Sequence, residues 1–341
     1  MITKLPQEFL SVISQNNGLK VYLSNLDRKI DSTPRSWLYE NKEPKQILDE
    51  WLDRLQSLQS GDAFEKEVFQ FDTSQLEKWG PQGGHAPISE LLEDIVLPTF
   101  SRADSPRPKA FTMPNWTISK TQIVTEFYQD HVAALRPASY SNVVNDMRAR
   151  DTLESNSGWP LFTRRNKPDV LKASIQAATD GAWMDYPAIA LFRNYNRKTR
   201  LVWMFPEATN INEGSFVQPL QSSIINAGID FYAPWKGFER VRHIITQLYG
   251  TGKYLSASDF SKTDEHFTMS ATLEVFDVLR NLFQRNDAVA AALRQSLVRM
   301  HNIPLIIGPD KMITGEHGVS SGSNWTNFIE TVLIRFREVG C

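Results

Sequence analysis

Cysteine is almost absent from this sequence. The only one, Cys341, is the last residue, so no disulfide can close within the chain and a reducing compartment is the expected setting. A charge surplus of either sign is also missing. The 37 basic and 39 acidic residues leave a net charge of -2, which excludes a chain-wide basic field for nucleic acid. No apolar run has the length of a membrane span. The opening, MITKLPQEFLSVIS, lacks the apolar core and small-residue cleavage site of a secretory signal. Without secretion, the glycosylation-like triplets at Asn115 and Asn324 carry no meaning. The six histidines show no zinc-site spacing, and there is no cysteine pair to join them. No nucleophile elbow of the Gly-x-Ser-x-Gly type occurs. GTGK (250–253) fails as a phosphate loop, because Gln247 stands at the first glycine position and Tyr254 at the hydroxyl position.

What is present is ordinary in bulk and uneven in distribution. The 341 residues are 41% hydrophobic and 22% charged, which suits a folded chain with two or more subdomains. Residues 41–100 hold 12 acidic and 5 basic side chains, whereas residues 161–200 hold 8 basic and 3 acidic. The second stretch could attract phosphates locally or could be a solvated face. Residues 1–80 read as mostly helical: Ile47, Leu48, Trp51, Leu52, Leu55 and Leu58 recur at helical spacing. Gly80–Pro87 reads as a loop, and proline-rich 101–116 as a surface crossing. Helices dominate 120–180, interrupted at 154–169. RKTRLVWMFP (197–206) turns strand-like with Pro206 as its stop. KYLSASDF (253–260) suits a buried strand whose end leaves room for a ligand, and helices follow around 273–282 and 287–300. EHGVSSGSNWTNFIETVLIRF (316–336) is a small-residue loop opening into a helix.

Three stretches could carry chemistry. In SDFSKTDEHF, Asp259 projects from the strand end and Asp264 lies one turn later, near a helix start. Two carboxylates so placed can share a small oxygen-donor site of the kind Mg²⁺ takes, although strand ends and helix starts also attract aspartate as turn and cap residues. His266 reads as a polar turn residue. In SSGSNWTN, Ser321 and Gly322 permit close backbone approach. Thr326 and Asn327 fall in the first helical turn, where free N–H groups favour anions. The alternative is that Ser323 or Asn324 simply caps the helix. In RNYNRKTRLVW, Arg193, Arg197, Lys198 and Arg200 stand within eight residues with no acid among them. Guanidinium forks suit phosphate, and strand alternation puts Lys198 and Arg200 on one face, opposite Leu201. The alternative is a charged, solvent-facing edge strand.

The order of these three stretches resembles viral RNA-dependent RNA polymerases, in particular the picobirnavirus group with partitivirus polymerases as relatives. The blocks RLVWMFPEATNINEG with QPL (218–220), SDFSKTDEHF and SGSNWTNFIET carry the resemblance, over roughly residues 110–341. It implies an α+β right-hand polymerase: a helix-rich N-terminal extension and fingers (1–109), fingers with a basic nucleotide-binding strand (110–249), and a partial palm with an antiparallel sheet (250–341). Asp259 would be the metal ligand, for Mg²⁺ or Mn²⁺. Asp264 would lie near the incoming ribose and help select its 2′-hydroxyl. Ser321, Gly322, Thr326 and Asn327 would form the second palm motif, and Arg197, Lys198 and Arg200 would hold the triphosphate. Asn156, Ser157 and Gly158 resemble the fingers loop that guides the template.

Two departures stand out. Many such enzymes carry asparagine four residues after the second-motif threonine, where this sequence has Glu330. The third palm motif, Gly-Asp-Asp, is absent from the 341 residues, so the resemblance implies a chain cut before that motif and before the thumb, and inactive alone. RNA template, nascent RNA and nucleoside triphosphates are the implied partners, with capsid protein as a further one, in host cytoplasm or inside the virion. The alternative is a non-catalytic RNA-binding protein that uses the basic 161–200 stretch.

Overall fold

The computed structural model describes residues 1–31, 42–79, 84–101, 107–127, 135–195, 198–251, 262–284 and 286–340. Asp259 and Arg197, together with the strand expected at 253–260, lie outside these described residues. The chain forms two compact units, each assembled from three separated segments.

The first unit comprises residues 1–99, 147–209 and 303–315. It holds a five-stranded sheet of order β1-β5-β4-β2-β3. The strands are β1 (Ile2–Lys4), β2 (Ala188–Tyr195), β3 (Lys198–Met204), β4 (Leu305–Ile306) and β5 (Lys311–Ile313). β2 and β4 run parallel, and the other neighbours are antiparallel, so the sheet is mixed rather than purely antiparallel as expected. Helices α1 (Gln7–Gln15), α2 (Asn17–Asn25), α3 (Pro44–Ser60), α4 (Ala63–Trp79), α5 (Ile88–Leu91) and α8 (Pro168–Asp180) belong to this unit. The centre of the sheet is apolar on both faces, with Ala188, Ile189, Ala190, Leu305 and Ile306 at 0% exposure. Such continuous small and β-branched runs are what a covered central strand requires. From α2, the Tyr22 hydroxyl donates to the Ala190 carbonyl (2.7 Å), which satisfies a phenol that burial would otherwise penalise. The described part of residues 1–80 is mostly helical, as expected, with β1 as the exception. Three residues carry too little pattern to announce a strand, and their partners in β5 are more than 300 residues away.

The second unit comprises residues 100–146, 210–302 and 316–341. Its helices are α6 (Pro114–Phe127), α7 (Tyr140–Ala149, which runs on into the first unit), α9 (Glu207–Asn226, from its second turn onward), α10 (Phe238–Thr251), α11 (Thr263–His266), α12 (Met269–Leu279), α13 (Asp287–Met300) and α14 (Trp325–Gly340). On α14, Trp325, Phe328, Ile329, Val332 and Phe336 are all fully buried, at the i, i+3, i+4, i+7 spacing of a core-facing stripe. α14 packs against α6 and α12, and the rings of Trp116 and Phe336 meet edge-to-face at 5.2 Å. Each such side chain contributes about 2–3 kcal/mol by burial. Buried polar contacts fix the register. Arg335 grips Glu126 with two bonds (2.7 and 3.2 Å), and Glu274 takes hydrogen bonds from Trp116, Lys120 and Arg107. Among the described residues no helix is long and apolar enough to cross a membrane.

Candidate nucleotide site

In the second unit the structure brings Asp264 to the loop that opens α14. Lys262, at φ 54, turns the chain into the four-residue α11, which carries Asp264. His266 ends α11, its Nδ1 lying 2.8 Å from the Lys262 carbonyl. Gly318 lies directly against this turn: a Cβ there would sit 2.1 Å from the Asp264 carbonyl oxygen. Glycine is required at this point because two backbones touch. The other side of the contact comes from α14. The Glu330 carboxyl hydrogen-bonds the Asp264 side chain and is pushed up to about 7, first by burial, then by the Asp264 charge and the bond itself. Two carboxyl groups in contact cannot both ionise cheaply, so Glu330 holds its proton up to about pH 7 and, while protonated, donates it to Asp264. Glu330 Oε1 is buried and has no hydrogen-bond partner among the described residues. The residue that departs from the expected asparagine is therefore the one that reaches Asp264.

The loop itself is held from two sides. Behind it, His301 is fully buried and bridges Thr272 Oγ1 (2.7 Å) and the His317 carbonyl (2.8 Å). Since a carbonyl accepts only, Nδ1 carries the proton and Nε2 accepts from Thr272. The Ser320 hydroxyl donates to the Met300 carbonyl (3.2 Å). From α9, the Asn210 amide donates to the Gly322 carbonyl (3.1 Å), and Glu213 accepts from the Ser323 hydroxyl (2.6 Å) and the Asn324 N–H (2.8 Å).

The expected site residues fall out as follows. Ser321 and Asn327 are exposed and Gly322 is half-buried. Thr326 is buried, and its hydroxyl donates to the Ser320 carbonyl (2.6 Å), so it closes the loop on itself. The capping alternative for Ser323 is what occurs: its Oγ accepts the Trp325 N–H (3.1 Å). The helix entrance expected to favour an anion already faces the carboxylate of Glu213.

The remaining described candidates belong to the first unit. Lys198 and Arg200 are exposed on β3, alternating with half-buried Thr199 and Leu201, and β3 is an edge strand. Both expected features hold at once, the basic face and the charged edge. In the register with β2, Arg193 stands directly opposite Arg200 and Tyr195 opposite Lys198. The Ser157–Gly158 loop is closed tightly. Ser157 is 2% exposed and its hydroxyl accepts the Thr163 N–H (3.2 Å). Gly158 has φ +65 and lies where a Cβ would be 2.7 Å from the Phe205 carbonyl oxygen. Glu207 supports the loop by donating its N–H to the Ser157 carbonyl (2.9 Å). Its own carboxyl is pushed up by burial, against the pull of Arg165 and Ser174.

Carboxylate oxygens are the donors Mg²⁺ prefers. The described residues bring two of them together, but Asp264 and Glu330 bond each other, and no group of three or more His, Cys, Asp or Glu among the described residues could hold a metal ion. By themselves they do not form a metal site.

Residues 195–337 match the family model described as viral RNA-dependent RNA polymerase. This chain resembles the polymerases of the picobirnavirus group. It is 27% identical over 339 residues to a potential RNA-dependent RNA polymerase of a human picobirnavirus (strain Human/Thailand/Hy005102/-), covering 94% of this chain and 60% of that protein. In fold it is similar to the crystal structure of the RNA-dependent RNA polymerase of a human picobirnavirus, with TM-score 0.64 and 23% identity over 98% of this chain and 64% of that one. An insertion-loop deletion mutant of a human picobirnavirus polymerase gives TM-score 0.66 and 24% identity over 98% of this chain and 66% of that one. The chain thus spans about 60% of the length of the curated polymerase it matches. The match with the family model begins at β2's end and runs through Arg200, Asp264, the Ser321–Asn327 loop and Glu330.

Proposed function

We propose that this chain is the nucleotide-handling part of a viral RNA-directed RNA polymerase. In the reaction, the 3′-hydroxyl of a growing RNA attacks the α-phosphate of a nucleoside triphosphate paired to an RNA template, and pyrophosphate leaves. The observation that carries this reading is the family match across 195–337, which takes in the basic strand, the Asp264 turn and the Ser321–Asn327 loop in that order. Arg200 and Lys198, with Arg197, meet the triphosphate. Asp264, which Glu330 hydrogen-bonds, is the residue this reading gives to the ribose hydroxyls, with exposed Ser321 and Asn327 as further polar candidates. Recognition of the 2′-hydroxyl is what separates RNA from DNA substrates. Asp259 is the residue this reading gives to Mg²⁺ or Mn²⁺, an ion that would polarise phosphoryl oxygens when bound.

On this reading the basic hairpin belongs to the fingers, the Asp264 turn and α14 entrance to the palm, and the Ser157–Gly158 loop guides the template. Capsid protein as a partner, and host cytoplasm or virion interior as the place of action, belong to the same proposal. The test is retention of labelled nucleoside triphosphate by the purified protein with RNA templates that differ in one templating base. Retention that follows the complementary base is expected, and it should fall when Arg200 is changed to alanine. Equal retention on all templates refutes the reading.

A further inference from the structure

Glu213 is 1% exposed on α9, within the block RLVWMFPEATNINEG, and none of the roles assigned so far uses it. Its carboxylate accepts from the Ser323 hydroxyl (2.6 Å), the Asn324 backbone N–H (2.8 Å) and the Asn210 side-chain amide (3.3 Å). Ser323 and Asn324 are the two residues before α14 begins at Trp325. Asn210 adds its own pair of bonds, donating to the Gly322 carbonyl (3.1 Å) and accepting from Asn324 Nδ2 (2.8 Å). The segment 322–324 is therefore tied to one face of α9 through both its backbone and its side chains. A helix entrance presents free N–H groups and the positive end of the dipole, and it ordinarily draws an anion. At α14 that anion is an internal side chain.

We propose that Glu213 is a positioning and specificity residue. By filling the anion position at the entrance of α14, it keeps phosphate out and leaves the exposed edge of the Ser321–Gly322 loop to a neutral, hydroxyl-bearing group, a sugar. The identity of that sugar as a nucleotide's ribose rests on the polymerase reading. The filled anion position does not. Removing the carboxylate frees the Asn324 N–H and uncovers the dipole without touching Asp264, Glu330 or the basic hairpin.

The test compares the wild type with E213Q and E213A, using inorganic phosphate as the probe and hydrogen exchange of the 320–327 peptide as the readout. Each variant is expected to exchange about tenfold faster there than the wild type, the loss of roughly one hydrogen bond to a charged group. Phosphate at about 10 mM should restore protection in the variants and leave the wild type unchanged. A purely structural role predicts faster exchange with no phosphate rescue, and that outcome overturns the proposal. Phosphate protection of the wild-type peptide equal to that of the variants also overturns it. E213Q keeps the side-chain volume, so it and the wild type decide the question even if E213A fails to fold. Failure of the polymerase reading would show instead in template-dependent nucleotide retention, which this exchange measurement does not use.

Discussion

Acidification from pH 7 to 5 should withdraw the stability that His301 gives behind the α14 loop, a loss that Glu330 offsets in the wild type and that a His301 variant isolates. It is fully buried between Thr272 and the His317 carbonyl, and burial lowers its pKa from 6.5 to about 4, against the raising effect of its backbone hydrogen bonds. The unfolded chain takes up a proton at this residue below pH 6.5 while the folded chain does not. Stability therefore falls as pH falls through that window, by about 1.4 kcal/mol per unit. The loss is about 2 kcal/mol at pH 5 and approaches about 3 kcal/mol near pH 4. Glu330, raised to about 7, acts in the opposite sense: its contribution is full below pH 4.5 and is lost as pH rises through 7. The clean comparison is thus between proteins rather than between pH values. Replacing His301 by glutamine removes the titrating group, so the stability gap between wild type and H301Q, read from urea unfolding, should narrow by about 2 kcal/mol from pH 7 to 5. His85, also lowered by burial, cancels in that difference. A gap that is the same at both pH values would refute the argument.

Other perturbations test the neighbouring contacts. E274Q removes the charge that Arg107 and Lys120 share inside the second unit and should cost about 1.5–3 kcal/mol in urea unfolding, the weakening of charged hydrogen bonds, because Lys120 keeps its ion pair with Asp277 (3.0 Å). Burial pushes Glu274 up, but hydrogen bonds from Lys120, Trp116 and Arg107 outweigh it and hold the carboxyl below its ordinary value, so this contribution is present above pH 4.5 and fades only below it. G318A places a Cβ against the Asp264 carbonyl and should cost about 2 kcal/mol or more, with faster hydrogen exchange at 262–266 as its local signature. E330Q keeps a hydrogen-bond donor facing Asp264 at every pH, so exchange of the 262–266 peptide should rise between pH 6 and 8 relative to intrinsic rates in the wild type and stay level in E330Q.

The parts legible in the sequence were those with strong local signals. α3, α12, α13 and α14 follow from apolar spacing, and β3 from β-branched and aromatic residues ending at Pro206. The order of basic strand, aspartate turn and small-residue loop was equally plain, and the family match covers it. β1, β4 and β5 were not legible, because two- and three-residue strands exist only through partners distant in the chain. Glu213, Asn210 and Glu330 escaped for a different reason. A charged or amide side chain on a helix reads as surface, and only the fold shows that Glu213 and Asn210 are buried against the 322–324 loop. Glu330 was visible only as a departure from the expected asparagine, and its contact with Asp264 supplies the physical content.

The central claim is that Asp264, steadied by Glu330 and backed by Gly318, reads the sugar of an incoming nucleotide. The most direct measurement is competition between a ribonucleotide and its 2′-deoxy form for template-dependent retention, in the wild type and in D264A. The account predicts a clear ribonucleotide preference in the wild type that collapses toward unity in D264A, with retention of the deoxy form little changed. An undiminished preference in D264A, or none in the wild type, would contradict it.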